Sequence, residues 1–186
     1  EYTEALRLKP DYAEAHDHLG VALARKGELR EAVAHLSEAV RLKPSDAKAH
    51  NNLGLALAST GKVEEAIAEY TQALRLRPDY AQAHYNLGVT LGREDRLEEA
   101  VAHFSEALRL EPDYAEAHNN LGVLLTDQGK LEQAIVEYTK ALRLEPDYAE
   151  AHNHLGVVLA RMGKFDEAIV EYTEALRLKP DYVEAH

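Results

Sequence analysis

Three asparagines, Asn52, Asn86 and Asn120, stand 34 residues apart, and His18 and His154 continue the same register on either side. A row of carboxamides can donate to and accept from a peptide backbone without reading its side chains. One residue earlier stand Asn51, Tyr85, Asn119 and Asn153, and three residues later Val21, Leu55, Val89, Val123 and Val157 are apolar in every copy. Amides beside an apolar line suit an extended polypeptide. The ten histidines could instead suggest a metal. However, His16-Asp17-His18 and His152-Asn153-His154 place their imidazoles about 200° apart on a helix, and no pair has the chelating i, i+4 spacing. No nucleophile elbow, phosphate loop or pocketed carboxylate pair can be read, so the expectation is a non-enzyme without cofactor or metal.

The elements that must position these residues follow from proline. All six prolines, at 10, 44, 78, 112, 146 and 180, are separated by 34 residues, and residues 115–148 and 149–182 agree at 24 of 34 positions. Such self-similarity is the signature of a repeat architecture. The sequence divides into the second helix of a partial repeat at 1–12, full repeats at 13–46, 47–80, 81–114, 115–148 and 149–182, and a stub at 183–186, all one array. Within the last repeat Ala151, Leu155 and Leu159 recur at helical spacing until Gly163. Phe165, Ala168, Tyr172 and Leu176 then continue until Pro180 stops them. Two helices per unit are predicted, the first capped by the aspartate after proline (Asp11, Asp113, Asp147), with Glu98 and Glu99 opening and Arg109 closing a second helix.

Composition narrows the partner. The chain carries 21 basic and 33 acidic residues, a net charge of −12, with no cysteine. Phosphate backbones and anionic lipid repel such a chain, so a basic or neutral protein segment is the expected partner, not nucleic acid or membrane. No apolar run approaches the roughly 20 residues of a spanning helix and no signal pattern is read, which favours a cytoplasmic setting without fixing the compartment. The start without Met is read as that of a fragment.

Leu121, Gly122, Leu125, Ala134, Tyr138, Ala141 and Pro146 together resemble the tetratricopeptide repeat, and the match recurs over the whole chain. The resemblance implies an all-α solenoid of antiparallel helix pairs in a right-handed superhelix, with first helices lining the concave side. Departures are His16, His50, His84, His118 and His152 where the family carries an aromatic, Asp95 for the inter-helix glycine, and Leu36 for an aromatic. A buried neutral imidazole resists charging, so five such sites are expected to make the array acid-labile near the pH, about 6.5, where free imidazole titrates. The Asn spacing is similar to the asparagine ladder of O-linked N-acetylglucosamine transferase repeats, implying backbone gripping without catalysis. The chaperone-tail clamp is not matched, because Asp17 or Asn51 and Val21 or Leu55 stand where it needs Lys and Asn.

On a helical wheel Ala117, His118, Leu121, Gly122 and Leu125 form the core arc, with Glu116, Asn119, Asn120, Val123, Thr126 and Asp127 opposite. Two structural readings stand beside peptide binding: the amides could bond neighbouring first helices, and the apolar line could pack between them. Three functions are carried forward. The leading one is a scaffold holding an extended segment in the groove. The others are a structural repeat stacking head to tail through bare ends (Tyr2, Ala5 and Leu6 at one, Leu176 at the other), and the substrate-recruiting arm of a larger enzyme such as an O-GlcNAc transferase-like protein.

Overall fold

The computed structural model describes residues 11–180, and the described residues form ten helices without a strand. Most of the partial repeat at 1–12 and the whole stub at 183–186 therefore lie outside the described residues, as do Tyr2, Ala5 and Leu6. First helices are α1 Ala13–Lys26, α3 Ala47–Ser59, α5 Ala81–Arg93, α7 Ala115–Asp127 and α9 Ala149–Arg161. Second helices are α2 Leu29–Leu42, α4 Val63–Leu76, α6 Leu97–Leu110, α8 Leu131–Leu144 and α10 Phe165–Leu178. The chain divides into two compact units, 1–94 and 95–186. In the first, α1 pairs with α2 and α3 with α4, while α2 packs on α3, α4 on α5, and the first helices α1, α3 and α5 touch in succession. The second repeats this plan with α7/α8 and α9/α10 as pairs, α6 on α7, α8 on α9, and α7 beside α9.

Small residues let the helices of a pair approach. Ala32, Ala66, Ala100, Ala134 and Ala168 are all buried on the second helices. A Cβ on Gly54 would stand 2.8 Å from the Tyr70 ring and one on Gly122 2.6 Å from Tyr138. Glycine is therefore required where the aromatic seats. Tyr70 and Tyr138 are almost fully buried there, and Leu36 seats against Gly20 in the first full repeat with a smaller side chain.

Helix ends follow the local chemistry, with one correction. The left-handed turn between paired helices is taken by Gly27, Gly61, Gly129 and Gly163, and in the third repeat by Asp95 at φ 59°. The expected aspartate caps do not form at Asp11, Asp113 or Asp147. These helices start one residue later, and Tyr12, Tyr114 and Tyr148 occupy the capping position with no side-chain bond to the helix amides. Only where Ser45-Asp46 replaces Asp-Tyr does the carboxylate reach that position: Asp46 Oδ1 accepts from the amides of Lys48 (3.1 Å) and Ala49 (3.4 Å). A Tyr hydroxyl lies a ring away from the amides, and an aspartate one residue early points past them. Tyr80 instead lies under the Arg77 guanidinium, 4.6 Å from ring centroid to carbon.

Candidate functional site

The amide register is tied to the fold. Asn52 Nδ2 donates to Asp17 Oδ1 at 2.8 Å, linking α3 to α1, and Asn86 Nδ2 donates to Asn51 Oδ1 at 3.0 Å, linking α5 to α3. In the second unit His154 Nδ1 donates to Asn119 Oδ1 at 2.9 Å, linking α9 to α7. Each bond joins a residue to the one 35 positions earlier, so consecutive first helices are laced together by the side chains expected to face a ligand.

Burial sorts these residues. Asn51, Asn119 and Asn153 are each 3 % exposed, and Asn86, 8 % exposed, also accepts from Gln82 Nε2 at 3.1 Å. The wheel placed Asn119 and Thr126 on the open arc. Both are buried, because a first helix is covered by its own partner helix and by the next first helix. Thr126 Oγ1 donates to the Gly122 carbonyl and lies 3.2 Å from the Tyr138 hydroxyl. Burial pushes the Tyr138 and Tyr70 phenols up to about 12. Nearer solvent are His18, exposed, and Asn52, Tyr85, Asn120 and His154, half-buried. Asn120 also accepts from Asn119 Nδ2 at 3.3 Å. Along the apolar line Leu55 is 51 % exposed, while Val21, Val89, Val123 and Val157 are half-buried.

Openings between first helices exist in the first unit. Val21, Leu36, Asn52, Leu55 and Ala56 line a cleft of about 350 Å³ between α1 and α3. A second opening of about 570 Å³ shares Val21, Arg25 and Asn52 with it and extends past Asp17, His18 and Lys48. In the second unit a cleft of about 410 Å³ lies at the base of α8, between Arg109, Pro112, Glu137, Lys140 and Arg143.

The repeated histidine is a clamp and not an isolated core ring. Nδ1 of His50, His118 and His152 lies 2.6 Å from Oε2 of Glu69, Glu137 and Glu171, and Nε2 lies 3.0, 3.0 and 2.9 Å from the carbonyls of Pro44, Pro112 and Pro146. The second helix and the preceding loop are thereby fastened to the first helix. In these three repeats the histidine expected to stand in for a core aromatic is a ring set between a carboxylate and a backbone carbonyl. Burial alone would push the Glu137 carboxyl up, but hydrogen bonds from His118 and Lys140 outweigh it and hold the carboxyl below its usual value. The first repeat differs from these three: His35 stands where they carry glutamate, as His103 does in the third repeat, and His16 Nδ1 meets His35 Nδ1 at 2.9 Å. Burial, then the neighbouring His16, pull His35 below the ordinary imidazole value against the opposing Glu31. Sequence reasoning missed the clamp, although the recurrence of Glu69, Glu137 and Glu171 nineteen residues after each histidine was there to be found.

Comparison with known families decides the kinship. The TPR repeat model matches residues 22–61, 56–95, 94–126 and 124–163, and the tetratricopeptide repeat model matches 149–182. The chain belongs to the tetratricopeptide-repeat family. It is an all-α solenoid of that kind, and such repeats serve as protein-interaction scaffolds. Among curated proteins none matches it. Among solved structures it is similar to MamA from Desulfovibrio magneticus RS-1, at 26 % identity and a TM-score of 0.81 over 92 % of this chain and 97 % of that one. YrrB, described as a TPR protein with an unusual peptide-binding site, shares the fold at 24 % identity and a TM-score of 0.77 over 99 % and 95 %. PilF of Pseudomonas aeruginosa does so at 24 % and 0.86 over 93 % and 79 %. Among the described residues no TPR helix is long and apolar enough to cross a membrane.

Proposed function

We propose that this TPR chain is a protein-binding scaffold whose first helices hold an extended, basic or neutral segment of a partner. The observation that carries the reading is the open cleft between α1 and α3, where Val21 and Leu55 offer apolar surface beside the Asn52 carboxamide. One Asn52 N–H is spent on Asp17, which leaves its other N–H and its Oδ1 for a peptide backbone. The net charge of −12 favours a cationic or neutral partner over an acidic one. Asn86 is not assigned a gripping role, since both ends of its amide are engaged inside the wall. The test is selection of binders from a random linear peptide library, followed by titration against Asn52→Ala and Leu55→Glu. A loss of ten-fold or more with unchanged melting supports the reading, and binding indifferent to both substitutions overturns it.

A further inference from the structure

The first full repeat lacks a pair of side chains that the next repeat possesses. In the second repeat the Tyr70 ring, 1 % exposed, lies over Gly54 and its hydroxyl is hydrogen-bonded to Thr90 on the following first helix. One repeat earlier the corresponding residues are Leu36 and Ala56. A phenol and the hydroxyl that receives it are thus both missing at the same place. Leu36 still seats against Gly20, where a Cβ would stand 2.6 Å from Leu36 Cγ, so the base of the site is filled by a side chain shorter than tyrosine. Above them lies the cleft of about 350 Å³, with the buried Leu36 and Ala56 as its floor, Val21 and the exposed Leu55 at its rim, and Asn52 at its polar edge.

We infer that this cleft is a side-chain pocket for an aromatic residue, tyrosine in particular, of the bound partner segment. The ring lies in the cleft above the Leu36 floor, against Val21 and Leu55, with its hydroxyl toward the place where the next repeat carries Thr90. The free Asn52 Oδ1 accepts the phenol hydroxyl, replacing the Thr90 contact that Ala56 cannot make. The inference rests on the reading that the first helices hold an extended segment, and it adds what anchors that segment: one ring at one repeat, with the remaining wall tolerant of sequence.

The test uses p-cresol, the tyrosine side chain alone, titrated into the full ¹⁵N-labelled chain. Amide shifts confined to Val21, Leu36, Leu55 and Ala56 are expected, weakened at least ten-fold by Leu36→Tyr with Ala56→Thr, which rebuilds the internal pair. Leu55→Glu, at an exposed rim position, gives the same loss without touching the core, so the outcome does not depend on the double variant folding. Shifts scattered elsewhere, or unchanged in both variants, overturn the pocket. A capped Gly-Gly-Tyr-Gly-Gly peptide separates the two readings. If it binds more tightly than p-cresol at the same amides, pocket and extended-segment scaffold both stand. If p-cresol maps to the cleft but the peptide binds no better, the pocket stands and the scaffold reading falls.

Discussion

Asn86 on α5 donates to Asn51 on α3 across 3.0 Å, and both amides are buried. Removing one partner from a buried pair leaves the other unsatisfied, at a cost of about 1–3 kcal/mol. Asn86→Ala is therefore expected to lower stability in urea unfolding by that amount. Asn52→Ala, whose partner Asp17 borders an opening, should cost less and change binding more. Equal stability losses at both positions would contradict this division of labour.

Acid sensitivity is expected at the first full repeat. The folded state holds His35 below the ordinary imidazole value of 6.5, so below that pH the unfolded chain binds more protons and stability is lost. His35→Glu installs the carboxylate found at Glu69 and Glu137, and should flatten the fall in melting temperature between pH 7.5 and 5.5. A wild-type melting temperature level over that range would refute the effect.

Glu137 titrates with the opposite consequence. Its folded carboxyl sits below the ordinary 4.5, so its contribution is present above that pH and disappears as pH falls through the depressed value. Glu137→Gln should be less stable than wild type at pH 6, with the gap closing toward pH 3 in denaturant titrations.

The helix pairs, their turns and the buried arc were legible because a proline, a glycine and a small-residue pattern recur every 34 residues, and each has one physical meaning. The core arc of α7 is buried as read, from Ala117 to Leu125. The wall was less legible. A wheel divides a helix into two faces, whereas Asn51 and Asn119 lie where a second first helix arrives, and nothing in one repeat's own pattern announces that neighbour. The His118–Glu137 clamp was missed for the same reason, since it joins two helices whose patterns were read separately.

The turn at Asp95 offers a gain in stability. Its φ of 59° is the conformation that Gly27, Gly61, Gly129 and Gly163 adopt in the other turns, and a side chain there costs roughly 1–2 kcal/mol, less for aspartate than for most residues. Among the described residues the Asp95 side chain makes no hydrogen bond or ion pair that would offset that cost, so Asp95→Gly should raise stability by about 0.5–1 kcal/mol despite the greater freedom glycine gives the unfolded chain. Gly129→Asp is the reciprocal change: a Cβ there meets nothing within 4 Å, so any loss reports the backbone alone. Paired unfolding curves for the two variants should move in opposite directions. Movement in the same direction would mean that the left-handed turn is not what distinguishes the third repeat.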